Sequence, residues 1–197
     1  MTGAQGGSDG LDTRSRILDV AERLAQTRGF NGFSYADIAS ELGISKASLH
    51  YHFAGKAELG AALIARYAAR FGDALAEIEA GGDDPRTKLE AYAGLYLDVL
   101  RDQRMCLCGM LAADYQTLPK QMRDAVVSFF DENEVWLARV LEQGKADGTL
   151  HFTGSATEAA QMIVGGLEGA MLVARPYGDT ERFRTAADRL LASVASP

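Results

Sequence analysis

Two cysteines, a histidine pair and a short run of lysine, serine and tyrosine are the residues of this chain whose types and spacing could do chemistry. Cys106 and Cys108 lie in Met105-Cys106-Leu107-Cys108-Gly109-Met110-Leu111. Thiols placed this way have two uses: as small buried hydrophobes, or as a sensor in which an electrophile or oxidant modifies Cys106. A helix starting near Cys106, with Arg101 and Arg104 close in sequence, favours the thiolate. On a helix the two thiols point to different sides, so a mutual disulfide is not expected. The second group is Ser45, Lys46, Ser48, His50, Tyr51 and His52, followed by Lys56. These are donors of the kind that meet phosphates and base edges. His50 and His52 project about 200° apart on a helix, which argues against a shared metal site. No metal and no cofactor is expected.

Enzymatic chemistry is poorly represented. No serine-hydrolase elbow, phosphate loop, dinucleotide fingerprint or Cys-x-x-Cys redox motif is present. His151 is the only histidine beyond the pair and has no recognisable partner. The chain is therefore not expected to be an enzyme. The alternative kept open is a thiol-dependent enzyme with a helical body and Cys106 as nucleophile. A structural DNA-binding protein without a ligand is a third reading, but it would need a wider basic surface and a smaller apolar body.

The 197 residues suit a small domain fused to a larger one, and 47% apolar with 24% charged residues is ordinary for a soluble globular chain. The net charge of −7 is unevenly spread. Residues 1–56 hold six basic and six acidic residues, whereas the remainder holds 14 and 21 and carries the whole excess. Residues 42–56 contain Lys46, Lys56, His50 and His52 and no acid. Binding to a polyanion must then rely on a small non-negative island and on a fixed docking pose. Residues 1–10 do not read as a signal peptide, no apolar run is long enough to span a membrane, and two cysteines do not make a secreted disulfide framework. A cytoplasmic protein without membrane contact is expected.

The elements that must position these groups read as all-α. Residues 1–11, rich in glycine, read as a disordered tail. A first helix is expected after Asp12 or Thr13, with Ile17, Leu18, Ala21, Leu24 and Ala25 on one face and Gly29 as its stop. Ser34 stands three residues before Asp37, a capping-box start for a short helix carrying Ile38, Ala39 and Leu42. Gly43 ends it, and Ser45 caps a third helix from Lys46 to about His52 that turns Leu49 and Phe53 inward. Two short helices joined by a glycine-containing turn are the pattern of a helix-turn-helix. Helices are then expected over about 56–80, 85–102, 105–115, 119–146, 155–174 and 179–194, with Gly81-Gly82-Asp83-Asp84-Pro85 as the clearest linker.

Residues 13–60 resemble the TetR family of transcriptional regulators. The likeness runs through Gly29-Phe30, Ser34, Asp37-Ile38-Ala39 and Leu42-Gly43-Ile44-Ser45-Lys46. It continues through Leu49-His50-Tyr51-His52-Phe53 and Lys56-Ala57-Glu58-Leu59. The resemblance implies a three-helix DNA-binding domain, here 12–55, and a helical ligand-binding and dimerisation domain, here 56–197. It also implies a ligand-responsive repressor that binds a pseudo-palindromic operator as a homodimer and is released by a small-molecule inducer. Ser34, Ser45, Lys46, Ser48, His50, Tyr51, His52 and Lys56 are the expected contacts to double-stranded DNA. The family usually has Tyr where this chain has His50, and Ser, Asp or Asn where it has Gly55. The Cys106 segment is similar to that of family members regulating detoxification of reactive electrophiles.

A ligand site in the body would draw on several helices. The candidates are Cys106, Met110, Leu111, Tyr115, Phe130, Trp136, Met162, Leu167, Glu168 and Met171, with Glu168 or Arg175 orienting a ligand or standing at a subunit boundary. The resemblance places the dimer contact on the last two long helices, where Gly165-Gly166 and Gly169-Ala170 permit close backbone approach.

Overall fold

In the computed structural model, which describes the backbone of residues 6–195 and the side chains of residues 12–195, the described chain is helical with short connections. The first helix, α1, runs Gly6–Arg28. It begins earlier than the sequence pattern suggests: residues 6–11, assigned to a tail, continue the helix, and residues 1–5 lie outside the described residues. Once a packed segment has nucleated a helix, each added residue brings its own hydrogen bond, so even a glycine-rich extension can propagate. Gly29, at φ 82, stops it in a conformation that side chains rarely adopt.

Helices α2 (Tyr35–Leu42) and α3 (Lys46–His52) follow a single 3-10 turn at Phe30–Gly32. At the start of α2, the Ser34 N–H and hydroxyl donate to the Asp37 carboxylate at 2.7 and 2.6 Å. Gly43 takes the left-handed conformation, φ 66, and its N–H donates to the Ala39 carbonyl, which closes α2 and aims the chain into α3. Ser45 caps α3 by accepting the Ser48 N–H at 3.1 Å. Ile17, Leu24, Ile38, Leu49 and Phe53 are buried between these helices and the start of α4 (Lys56–Ala80).

The body consists of α4 with α5 (Pro85–Arg101), α6 (Leu107–Ala113), α7 (Lys120–Asp147), α8 (Ala156–Ala174) and α9 (Thr180–Ala195). Asp84 caps α5 by accepting the Arg86 and Thr87 N–H groups, with Pro85 in the first turn where no donor is needed. Ser155 and Glu158 form a reciprocal capping box on α8. α8 packs between α7 and α9, and α5 closes the bundle against all three. Helix α6 is shorter than the 105–115 expected. Gln103, at φ 59, turns the chain after α5, and Met105 is held outside the helix with its N–H donating to the Gln26 carbonyl of α1 at 3.2 Å. At the other end Tyr115 falls in a separate 3-10 turn, Tyr115–Thr117.

One ion cluster ties α1 to α4. Glu22 is 5% exposed and pairs with both Arg66 and Arg70, while Arg66 also pairs with the exposed Asp19 at 2.7 Å. Removing one partner of a buried pair leaves the other uncompensated, whereas an exposed pair contributes little. Arg66 keeps Asp19 and Arg70 is half exposed, so Glu22→Ala is expected to lower the unfolding free energy by about 1–2 kcal/mol. Asp19→Ala should cost under about 1 kcal/mol. Urea titrations of the two variants giving equal losses would contradict this ranking.

Candidate nucleic-acid interface and effector region

The exposed face of α3 is formed by Lys46, Ala47, His50 and Tyr51, with Ser48 and His52 half-buried beside them. Tyr51 is 85% exposed, an extreme value for an aromatic side chain, and its ring meets His52 edge-on at 5.2 Å. Leu49 and Phe53 are fully buried behind them, so the strip is presented on a fixed support. His50 is held from behind: its Nδ1 lies 3.2 Å from the Ala54 carbonyl, and its ring packs on Tyr35 at 4.9 Å. Tyr35 donates to the Phe53 carbonyl at 3.1 Å. Burial, with the Glu58 charge adding to it, pushes the Tyr35 phenol up to about 12, so it stays a neutral donor. Tyr35, and Glu58, which accepts the Ala54 N–H at 2.9 Å, are supporting residues; the sequence gives Glu58 only as part of the family likeness and does not single out Tyr35. Only contact across the α3–α4 turn reveals this role.

Ser34 and Ser45 are exposed at the starts of α2 and α3. Lys56, expected as a phosphate contact, is engaged within the chain. Its ammonium donates to the Phe30 and Phe33 carbonyls and lies over both rings, 4.7 and 4.2 Å from their centroids. Burial lowers its pKa, opposed by Asp114 and Asp37. The reason is geometric: the loop after α1 exposes carbonyls and aromatic faces that a first-turn lysine of α4 can reach. Lys56 is a clamp between loop and helix.

The same loop is held from the body. Asp114, at the end of α6, accepts the Phe30 and Asn31 N–H groups at 2.9 and 3.4 Å, and Asn31 donates to Thr117 at 2.8 Å. Arg175, at the end of α8, donates to the Thr27 carbonyl of α1 and reaches Met110 Sδ at 3.6 Å. Both ends of α6 thus contact α1 or its following loop.

Cys106, Gly109 and Glu168 meet at the seam between α6 and α8. Gly109 faces Glu168 so closely that a side chain there would overlap the carboxyl. Glu168 as a residue is half-buried, but Oε1 is sealed from solvent and has no hydrogen-bond partner. Cys106 is fully buried against Glu168 and the Tyr67 hydroxyl, which lies 3.6 Å from its sulfur. This arrangement does not favour the thiolate expected from sequence. Burial first, then the Glu168 and Cys108 charges, push the Cys106 thiol well above its ordinary range, outweighing the favourable Gly109 N–H. Arg101 is occupied by Asp98 at 2.9 Å and does not offset this.

The other ligand candidates divide. Leu111, Leu167 and Met171 are buried, and Trp136 stacks on Tyr92 at 5.7 Å within a larger aromatic group. Phe130 is half-buried against Phe129. Tyr115 lies in the turn after α6, half-buried, with Arg123 over its ring. Met162 is corrected: at 45% exposure on the outer face of α8 it lines no interior site. Its i, i+3, i+7 spacing with Gly165 and Gly169 places it on the stripe opposite the core. Gly109, Tyr67, Tyr92, Tyr96 and Asp114 were missed, because their roles depend on which helices face one another. Among the described residues no group of His, Cys, Asp and Glu is placed to hold a metal ion, and no helix is long and apolar enough to cross a membrane.

Burial raises the Glu168 carboxyl from 4.5 to about 7, opposed only by Cys106. Between those values the folded chain keeps a proton that the unfolded chain has released, so stability falls as pH rises through the window. Glu168→Gln should match the parent near pH 5 and exceed its thermal midpoint by several degrees near pH 8, on the order of that pKa gap. Parallel melting curves with no pH-dependent gap would refute the assignment.

Comparison with known proteins agrees with this geometry. Residues 17–63 match the model for bacterial regulatory proteins of the tetR family, and residues 85–190 match the tetracyclin repressor-like C-terminal domain. A TetR-family transcriptional regulator from Agrobacterium tumefaciens superposes with a TM-score of 0.91 at 34% identity, covering 95% of this chain and 100% of the other. The HTH-type transcriptional repressor NemR of Escherichia coli is 26% identical over 190 residues, covering 94% of this chain and 96% of NemR. The reduced form of Escherichia coli NemR superposes with a TM-score of 0.81 at 27% identity, over 94% of this chain and 99% of that one. The chain belongs to the tetR family of bacterial regulatory proteins and is a helix-turn-helix, DNA-binding regulator of transcription.

Proposed function

We propose that the protein is a ligand-responsive repressor that binds a pseudo-palindromic operator as a homodimer in the cytoplasm and leaves it when a small molecule enters its helical body. The observation that carries this reading is the rigidly backed strip Lys46, Ala47, His50 and Tyr51 on α3, in a helix-turn-helix tethered at Thr27, Phe30 and Asn31 to α6 and α8. A recognition helix in the major groove reads base edges through such side chains, with Ser34, Ser45, Ser48 and His52 at its margins. The tethers supply a physical link: a ligand that separates α6 from α8 alters the groups holding the DNA-binding unit. The repressor reading is supported by the name of NemR.

Dimerisation is supported by the outer stripe of α8. Met162, Leu172 and Val173 are 45, 61 and 55% exposed, and the positions where Gly165 and Gly169 would carry side chains face open space. An apolar stripe with bare backbone suits close, two-fold helix contact. A dimer on that face would place two α3 helices in successive major grooves, about 34–36 Å apart.

Release through modification of Cys106 is a narrower form of the same reading. It is supported by the position of Cys106 at the head of α6 and by the likeness to a protein studied in a reduced form. The buried, protonated thiol means that α6 must move before a reagent can reach it.

The reading predicts that the full-length protein selects a two-fold-related sequence from random duplex DNA. Lys46→Ala and Tyr51→Ala should each weaken that complex by about 10-fold or more in fluorescence anisotropy. Both side chains are exposed, so their melting temperatures should be unchanged, whereas Lys56→Ala should melt earlier. Absence of any selected sequence would sink the DNA-binding assignment. A Cys106→Ser variant that releases DNA normally with every thiol-reactive inducer would remove the modification route and leave the rest intact.

A further inference from the structure

Among the described residues three buried side-chain atoms lack a hydrogen-bond partner, Gln26 Oε1, Arg66 Nε and Glu168 Oε1, and of these only Glu168 is an acid with no ion pair. Oε1 is sealed and unpaired, and the only side-chain hydrogen bond that favours its charged form comes from the Cys106 thiol, a weak donor. Among the described residues, no ion pair includes Glu168. The cation two turns along the same helix, Arg175, is turned to Thr27 and Met110. A carboxylate desolvated without a cation is unfavourable, and natural interiors rarely keep one that nothing uses.

What surrounds it has a definite character. Tyr67 lies against Cys106, which lies against Glu168, and the Tyr67 ring continues into Phe129 at 5.6 Å and Phe71 at 6.2 Å. Tyr92 and Tyr96 join through Phe71, and Trp136 stacks on Tyr92. The Glu168 charge reaches far enough to oppose ionisation of Tyr67, Tyr92 and Tyr96. A carboxyl separated from this group of aromatic rings only by the Cys106 thiol complements a positively charged nitrogen on an apolar frame, the carboxyl by ion pairing and the rings by apolar and cation–π contact. Gly109 leaves the carboxyl facing bare backbone across the seam, and Glu168 as a residue is only half-buried.

We propose that the seam between α6 and α8 is a binding site for an organic cation, with Glu168 as the residue that pairs with its ammonium nitrogen. This rests on the ligand-responsive reading above and names the class of effector. An ammonium supplies the donor that Oε1 lacks and the charge that the seam lacks. To fit beside the carboxyl it must widen the contact at Gly109, between the two helices whose ends hold α1 and its loop. A neutral ligand of the same shape gains the aromatic contacts but not the ion pair.

The test uses the full-length protein with two probes of matched shape, 2-phenylethylammonium and 2-phenylethanol, followed by calorimetric titration and thermal melting. The ammonium should bind at least about 10-fold more tightly than the alcohol, the factor expected for a desolvated charge-assisted hydrogen bond. Glu168→Gln should abolish that preference, and Glu168→Asp, which keeps the charge, should retain part of it. Wild-type protein supplies a second measurement that needs no variant: the ammonium's advantage should shrink as the carboxyl is protonated towards pH 6. Equal affinity for the two probes, no binding of the ammonium, or an unchanged preference in Glu168→Gln would overturn the proposal. Operator binding, and its release by neutral compounds, are read separately. If they persist while the ammonium fails, the cation site is wrong and the repressor reading stands. If no operator is found while the ammonium binds through Glu168, the reverse holds.

Discussion

The backbone at the end of α1 is the constraint on which the rest of the molecule depends. A helix end leaves carbonyls without partners, and the loop that follows adds N–H groups that no regular element satisfies. Here those groups are satisfied from elsewhere in the chain. Gln26 and Thr27 carbonyls accept from Met105 and Arg175, Phe30 and Asn31 donate to Asp114, and the Phe30 and Phe33 carbonyls accept from Lys56. The DNA-binding unit is therefore not a bead on a flexible string. Its orientation is set by polar contacts to the start of α4, both ends of α6 and the end of α8, so a shift at any of these is felt by α3.

Those anchors give α6 an importance that its length conceals. It spans Leu107–Ala113, too short to be stable alone, and holds its place through burial of Leu107, Cys108 and Leu111 and through contacts at each end. The opposite face of the seam carries Glu168, whose sealed oxygen makes the closed arrangement less favourable than a purely apolar one. An element that is short, doubly anchored and packed against an unsatisfied group is well suited to having two positions. The α4–α1 ion cluster around Glu22 works in the other direction, fixing the long helix against which these smaller shifts are made.

Charge tells a similar story. A net −7 would repel DNA if it were spread evenly, yet the α3 segment carries Lys46, two histidines and no acid. Lys56 contributes to this island by sequence but is spent on the Phe30–Phe33 loop. Its charge still adds to the local potential, but its donors face the loop, which leaves Lys46 as the exposed cation of this segment. Glu58, which is close in sequence, is occupied with the Ala54 N–H and supports the α3–α4 turn.

The helices and the helix-turn-helix were legible in the sequence because their causes are local. Ser34 with Asp37, Gly43, Ser45, Asp84-Pro85 and Ser155 with Glu158 act within a few residues of themselves, and the 3.6-residue apolar spacing marks which face is inward. The same holds for Leu49 and Phe53 against the exposed Tyr51. What only the tertiary structure decided are the roles that depend on which elements meet. Lys56 became a clamp because the α1 loop lies beneath it. Cys106 became a protonated, buried thiol because Glu168 and Tyr67 arrive from helices far away in sequence. Asp114 became a tether to a loop more than eighty residues earlier. Met162 and Met171, nine residues apart on α8, were alike as sequence candidates, yet one lies on the surface and the other in the core. Periodicity gives the faces of a helix, but the partners of each face are set by packing. The chemistry of a thiol, a carboxyl or an ammonium is set by those partners.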